Sequence, residues 1–163
     1  MNIDIRDYKT DDILPAIHIW NSIVEEGMAF PQIDKLDEYT GDIFFRSQSF
    51  TGIAYDINSE EIVGLYILHP NNVGRCGHIC NASYAVKENI RGQHIGESLV
   101  RHCIEKGKEL GFKILQFNAV VSSNLPALHL YKKLGFIQLG TIPKGFLSKS
   151  GTYEDIIPHY IEL

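Results

Sequence analysis

Residues 86–99 constrain the fold more than any other part of this sequence. An alternating run of apolar residues, 79–86, ends where the stretch begins, and apolar residues at helical spacing start at Ile95. Gly92 and Gly96 lack a Cβ atom, so the backbone between strand and helix can approach a ligand closely. The first N–H groups of a helix have no partner within it and attract anions. The stretch therefore predicts a strand, a tight turn and a helix whose N-terminus can bind phosphate.

The rest of the chain shows the patterns of further strands and helices. A helical crossover separates the fourth predicted strand from the fifth, and the complete order is β-αα-βββ-α-β-α-ββ. Layer rules then favour an α/β (α+β) architecture, with a mixed, mostly antiparallel sheet of about seven strands and helices on both faces. A short first strand contains Ile3 and Ile5, and the later predicted strands are 51–57, 61–68, 77–86, 113–120, 136–142 and 153–161.

Helix boundaries follow from capping residues and from the spacing of apolar residues. The first helix is expected to begin after a cap at Asp11 or Asp12 and to end at Gly27. A second helix is expected within residues 34–47, although Gly41 weakens its helical propensity. The core-facing residues of this second helix are expected to be Leu36, Tyr39, Ile43 and Phe44.

Composition limits the partners and the compartment. The 163 residues are expected to form one domain, 1–163, with enough apolar content for a core. Fifteen Lys and Arg against 20 Asp and Glu give a net charge of −5, which argues against nucleic acid and anionic membrane as partners. Three cysteines without disulfide spacing, and a start without a signal-peptide pattern, favour the cytoplasm.

Two motifs resemble those of a known enzyme family. Residues 91–96, Arg-Gly-Gln-His-Ile-Gly, resemble the (Gln/Arg)-x-x-Gly-x-(Gly/Ala) acyl-CoA-binding motif of the GNAT superfamily of N-acyltransferases. Residues 124–136 resemble its second motif, Asn-x-x-Ala-x-x-Leu-Tyr-x-x-x-Gly-Phe, with every anchor residue present. His94 departs from the first motif, which usually has glycine there, and a positive φ at this residue would be costly. The predicted strand order is similar to the complete GNAT fold, so the resemblance covers nearly the whole chain.

The resemblance implies acetyl-CoA, or another acyl-CoA, as the co-substrate. Its pyrophosphate is expected to lie on the backbone N–H groups of Gly92, Gln93, His94, Ile95, Gly96 and Glu97. Backbone groups near Val86 are expected to pair with the pantetheine arm, and Asn124 to contact the same arm or its phosphate. Arg91 either adds positive charge to this site or is a solvated surface arginine.

Tyr131, in the second motif, is the predicted catalytic residue. A phenol has an unperturbed pKa near 10, against about 8.5 for a thiol, so it stays protonated at neutral pH and can donate to a departing thiolate. Tyrosine at this place acts as the general acid in the family that the motif resembles. The alternative is that Tyr131 only packs and hydrogen-bonds at the edge of the core.

The general base that deprotonates the acceptor amine is not assigned by the motifs. Candidates are Glu26 after the first helix, and His78 or Asn81 acting with a water on the fourth strand. Each has a structural alternative, and family members often use ordered water instead. Cys76, His78 and Cys80 alternate along a strand, but they lack a Cys-x-x-Cys pair and an evident fourth ligand, so no metal is predicted.

These features together predict an N-acyltransferase. It is expected to move an acetyl group from acetyl-CoA to a primary amine of a small molecule or amino acid, by direct attack in a ternary complex. Alternatives are a non-catalytic acyl-CoA-binding module of the same fold and acetylation of a protein amine. The resemblance places the acceptor pocket between residues 25–33 and 143–153, and it leaves open a homodimer whose interface the sequence does not locate.

Overall fold

The computed structural model describes residues 1–90 and 92–163, and Arg91 therefore lies outside the described residues. Within those residues the chain forms eight strands and four α-helices. Their bounds are β1 Ile3–Asp7, α1 Ile13–Glu26, α2 Glu38–Arg46, β2 Phe50–Asp56, β3 Ile62–Pro70, β4 Ile79–Val86, α3 Ile95–Glu109, β5 Ile114–Val121, α4 Leu125–Lys133, β6 Ile137–Gln138, β7 Ile142–Leu147 and β8 Tyr153–Glu162.

All eight strands belong to one mixed sheet. Its order is β1-β2-β3-β4-β5-β8-β6, and β7 pairs with β8 beside β6. Every pairing is antiparallel except that of β4 with β5, which are joined by the crossover helix α3. This parallel pairing is short, because only Ile79 and Cys80 of β4 find partners on β5. The fold class predicted from the sequence is confirmed, and β4 and β5 separate beyond Cys80.

Helices cover the two faces of the sheet and create two apolar cores. On one face α1 and α2 pack around Trp20, whose ring lies 4.4 Å from that of Phe30. On the other face α3 and α4 pack against the sheet, and Leu99 and Phe117 are buried between them and the strands. Successive side chains of β3 and β4 point to opposite faces of the sheet, so apolar residues of these strands contribute to both cores.

The end of the chain differs from the prediction. The strand expected at 136–142 is reduced to the two residues of β6, because Gly140 has a φ of 109° and interrupts the extended backbone. The segment expected as a connection, 143–153, instead contains most of β7, which forms a hairpin with β8. Turn-forming residues such as Pro143 and Gly145 obscured the strand pattern, so the sheet has eight strands rather than about seven.

The predicted inner face of α2 is only half correct, because Leu36 and Phe44 pack against the core but Tyr39 and Ile43 do not. Tyr39 and Ile43 are 76% and 51% exposed, whereas Phe45 is buried and Gly41 faces α1. The helix begins at a cap by Asp37, whose carboxylate accepts a hydrogen bond from the Thr40 N–H at 2.7 Å. Because α2 begins at this cap, the helix is rotated so that Gly41, its smallest residue, faces α1.

Asp12 does not cap α1 with its side chain, contrary to expectation. Its buried carboxylate accepts hydrogen bonds from Arg6 at 2.7 and 2.8 Å and from the Lys9 N–H at 2.8 Å. Gly27 does end α1 as expected, with a left-handed φ of 64°. Asp12 therefore ties the end of β1 to the start of α1.

Gly41→Ala is expected to destabilise the protein by about 1 kcal/mol, although alanine has the higher helix propensity. A Cβ at this position would lie 2.6 Å from Cγ2 of Ile17, and the β-branched side chain of Ile17 has little freedom within α1. Gly96→Ala is the control, because its methyl group would meet only ordinary contacts at 3.9 and 4.0 Å. Chemical denaturation measures both, and a stabilised Gly41→Ala would contradict this packing.

Candidate active site

One cavity of about 680 Å³ joins segments from four parts of the chain. It extends from the end of α1, past the edge of β4, to the N-termini of α3 and α4. Its volume is in the range typical of small-molecule sites. The lining residues are Ile23, Glu26, Met28, Ala29, Tyr84, Val86, Gly92, His94, Ile95, Gly96, Glu97, Ser123, Asn124, Pro126, His129, Leu130 and Lys133.

The turn before α3 adopts left-handed backbone conformations. Gly92 has a φ of 85°, and His94, immediately before the helix, has φ 61° and ψ 12°. The His94 side chain is 82% exposed and makes no capping hydrogen bond to α3. The positive φ is the conformation that glycine adopts without cost, which accounts for the usual glycine at this place in the motif. With no side-chain cap, the first N–H groups of α3 remain available to an anion.

Gly96 lies on the first turn of α3, beside the edge of β4. A Cβ there would meet Val86 and Leu130 only at ordinary van der Waals distances. The packing of the chain therefore does not require glycine at this position, whereas close approach of a ligand would. Gln93, which was predicted to contribute a backbone N–H group, is exposed and does not line the cavity.

Glu97 carries an ionic cluster at the same helix end. Its carboxylate accepts hydrogen bonds from Arg101 at 2.8 and 3.0 Å and from Lys133 of α4 at 2.6 Å. Nδ1 of His94 lies 3.7 Å from the same carboxylate. Hydrogen bonds from Lys133 and then Arg101 lower the pKa of Glu97 to about 2, so it is ionised at neutral pH.

Asn124 begins α4 as predicted. Its side-chain oxygen accepts a hydrogen bond from the Ala127 N–H at 3.3 Å, and Pro126 occupies the first turn, where it displaces no helical hydrogen bond. Asn124 lines the cavity opposite the turn before α3. The structure thus brings the two sequence motifs to one cavity.

Tyr131 lies in the following turn of α4 and does not line the cavity, although its neighbour Leu130 does. Its ring packs 4.6 Å from that of Phe117 and 5.4 Å from that of Phe136. The hydroxyl makes no hydrogen bond to any residue that the structure describes. Burial raises the pKa of the Tyr131 phenol, so the group keeps its proton at neutral pH.

The three candidate bases lie in different places. Glu26 lines the cavity at the end of α1, whereas His78 precedes β4 at its far end from Val86, about 25 Å away along the strand. Asn81 also lies outside the cavity lining, and it donates to Asn71 at 3.4 Å. The structure therefore leaves Glu26 as the one member of the three that lines the cavity.

A backbone contact joins the segment after α1 to the connection before β8. The carbonyl of Gly27 accepts a hydrogen bond from the Lys149 N–H at 3.1 Å. A Cβ at Gly27 would lie 2.6 Å from Cβ of Lys149, so the two backbones are in close contact. Residues 25–33 and 143–153 thus meet, but no residue of 143–153 lines the cavity, and the acceptor pocket between them stays a prediction.

Tyr84 and Lys133 are among the cavity residues that the sequence patterns missed. Tyr84 belonged only to the alternating run of β4, yet it lines the cavity, and its buried hydroxyl lies beside the thiol of Cys103 on α3. Lys133 occupies a variable place in the second motif, and only the packing of α4 against α3 brings it to Glu97. Neither role has a signal in local spacing.

The described residues contain neither a helix that could span a membrane nor a cluster of metal-ligating side chains. None of the helices there is both long enough and apolar enough to cross a bilayer. No group of three or more His, Cys, Asp and Glu side chains in residues 1–90 and 92–163 is placed to hold a metal ion.

Comparisons with known proteins agree with the geometry. The family model for the acetyltransferase (GNAT) family matches residues 17–136. The N-acetyltransferase aca1 of Schizosaccharomyces pombe is 29% identical over 137 residues, which cover 75% of this chain and 66% of that protein. The matched part is thus slightly less than two thirds of the length of aca1.

Solved structures share the fold over nearly their whole length. A GCN5-related N-acetyltransferase from Kribbella flavida superposes with a TM-score of 0.90 at 27% identity, covering 99% of this chain and 98% of that one. Ribosomal-protein-alanine N-acetyltransferase from Brucella melitensis gives 0.90 at 21%, covering 98% and 99%. A phosphinothricin acetyltransferase from Sinorhizobium meliloti in complex with AcCoA gives 0.90 at 18%, covering 100% and 89%. The last two likenesses concern the fold alone.

We expect the free energy of unfolding of His94→Gly to exceed that of His94→Ala by about 1 kcal/mol. Glycine adopts the left-handed backbone of residue 94 without steric cost, whereas alanine, like histidine, does not. At Lys108, inside α3, the same two substitutions should rank in the opposite order by a similar amount. Denaturant unfolding of the four variants measures both differences. A more stable His94→Ala would show that residue 94 does not adopt this conformation in solution.

Proposed function

Because the chain belongs to the acetyltransferase (GNAT) family, a family of N-acetyltransferases, we propose that it transfers the acetyl group of acetyl-CoA to a primary amine of a small molecule or amino acid. The single observation that carries the proposal is the shared cavity. It connects the N-termini of α3 and α4, where phosphate can bind, to an acidic and apolar end near Glu26 and Met28.

The residues of the cavity fit acetyl-CoA. The uncapped N-terminus of α3, preceded by Gly92 and followed by Gly96, offers backbone N–H groups to a pyrophosphate. Beyond Cys80, β4 has no ladder partner on β5, so its backbone groups near Val86 can pair with an extended arm. Tyr84 and Val86 of β4 line the same cavity as the two helix N-termini.

Tyr131 is the proposed general acid. Acetyl-CoA, when bound, supplies an activated thioester whose C–S bond breaks as the acceptor nitrogen attacks. The phenol of Tyr131 keeps its proton because burial disfavours the phenolate, and Oη can donate that proton to the sulfur that leaves. Glu26 accepts a proton from the acceptor ammonium, directly or through a water, before the attack.

The acceptor is proposed to be a small cationic amine with an apolar portion. Glu26 supplies a carboxylate at this end of the cavity, and Met28 and Ala29 supply apolar surface beside it. A second candidate, the terminal amine of a protein, is supported by 42% identity over 67 residues to a Bacillus subtilis protein that is named as a ribosomal-protein-alanine N-acetyltransferase.

Tyr131→Phe is expected to lower kcat about 100-fold while the Kd of acetyl-CoA changes less than about threefold, because only the proton donor is removed. Free-thiol release measures kcat, and thermal unfolding with acetyl-CoA measures binding. At 100 times its Kd, acetyl-CoA should stabilise both proteins by about 2.7 kcal/mol.

Tyr55→Phe is the matched control, because its hydroxyl donates to Asp4 at 3.0 Å on the β1–β2 edge, away from the cavity. An unchanged kcat in Tyr131→Phe would remove Tyr131 from the mechanism. A wild-type chain that is not stabilised by acetyl-CoA would refute the proposed function, and binding without thiol release on any amine or peptide would make the chain a binding module.

Glu26→Gln should lower kcat about 100-fold, because the proposed proton acceptor is removed. It should also raise the KM of the acceptor amine about tenfold and leave the KM of acetyl-CoA unchanged, since the carboxylate attracts a cation at one end of the cavity. Glu25→Gln removes the same charge one residue earlier, where the side chain pairs with Lys35 at 3.0 Å outside the cavity lining. Steady-state kinetics on an amine panel and an alanine-ended peptide compare the two variants. Equal effects of both would mean that only the net charge matters.

A further inference from the structure

We infer that the carboxylate of Glu97 is an internal counter-ion that competes with the pyrophosphate of the co-substrate for Lys133. The inference rests on the proposed function, because it concerns the same helix end. In this role the Glu97 side chain repels the pyrophosphate, whereas the backbone N–H groups around it attract the pyrophosphate.

The cluster is built from two helices. Both carboxylate oxygens of Glu97 are engaged: Oε1 accepts from the Arg101 guanidinium at 2.8 and 3.0 Å, and Oε2 accepts from the Lys133 ammonium at 2.6 Å. The Glu97 side chain is only 16% exposed, whereas those of Lys133 and Arg101 are 49% and 60% exposed. The carboxylate is therefore the fixed centre of the cluster, and the two cations are its solvent-facing partners.

The position of this carboxylate is what creates the competition. Glu97 lies in the first turn of α3, where the helix dipole and the unpaired N–H groups favour negative charge. Glu97 and Lys133 both line the cavity in which the proposed pyrophosphate lies. Two anions that use the same helix end repel each other, and they compete for Lys133, whereas Arg101 lies outside the cavity lining.

This arrangement has a consequence for turnover. In the free protein, Glu97 holds Lys133 at the cavity wall and satisfies its charge. A pyrophosphate that binds must divert Lys133 from Glu97, so part of the favourable electrostatic interaction is offset by the loss of an existing ion pair. The co-substrate and its CoA product consequently bind less tightly and dissociate faster than the helix end alone would allow.

Glu97→Gln tests this inference. The Kd of acetyl-CoA, measured by calorimetry at low ionic strength, should fall about threefold to tenfold, since a repelling charge is removed and Lys133 is released. The gain should shrink in high salt, which screens the charges. S-acetylpantetheine, which has no pyrophosphate, should bind the variant and the wild type equally.

Glu105→Gln is the matched control on the same helix. Glu105 pairs with Lys108 at 2.9 Å, three residues along α3, and it does not line the cavity. This variant changes the net charge equally and should leave the Kd of acetyl-CoA within about twofold. In a Lys133→Met background, which keeps the apolar stem, adding Glu97→Gln should tighten binding less than it does in the wild type.

The outcomes separate the inference from the proposed function. A wild-type chain that does not bind acetyl-CoA overturns both. If the wild type binds and Glu97→Gln binds equally or more weakly, Glu97 only positions its partners and the competition is refuted. A gain that also occurs with S-acetylpantetheine, or with Glu105→Gln, overturns the inference as well, because the effect would not involve the pyrophosphate.

Discussion

The short parallel pairing between β4 and β5 is the constraint on which the rest of this structure depends. The two strands share a ladder only at Ile79 and Cys80, and beyond that point β4 has a free edge towards β5. Each strand leads into a helix: β4 into α3, and β5 into α4. The N-termini of both helices open onto the same cavity, which Tyr84 and Val86 of β4 also line. The unpaired backbone of β4 needs polar partners, which a bound ligand can supply.

Local sequence was sufficient for the fold class, for the family and for the helix ends that face the gap. The turn before α3 and the start of α4 are contiguous motifs, so residue spacing alone locates Gly92, Gly96 and Asn124. Errors arose where distant segments decide the outcome. The face of α2 depends on its close contact with α1 at Gly41, and β7 forms because β8 offers it an edge. Lys133 and Tyr84 were missed for the same reason, since only tertiary packing brings them to the cavity.

The turn before α3 combines favourable and unfavourable terms. Backbone N–H groups and the helix dipole attract an anion, whereas the charge of Glu97 opposes the pyrophosphate in the proposed mode of binding, and the left-handed backbone of His94 costs stability of the fold. An enzyme that must release its product in every cycle is not improved by maximal affinity for a group that substrate and product share. Under the proposed function the pyrophosphate is such a group. Attraction by the backbone N–H groups and repulsion by Glu97 then suit its repeated binding and release.

The contact between Gly27 and Lys149 has a consequence for how acceptor preference can diverge. It joins two segments that lie near opposite ends of the sequence, and it fits only because Gly27 has no side chain. A change in the length or shape of either segment would disrupt this contact. Under the proposed function, grafting one loop from a related enzyme would therefore transfer little selectivity, whereas grafting both together would preserve the contact between them.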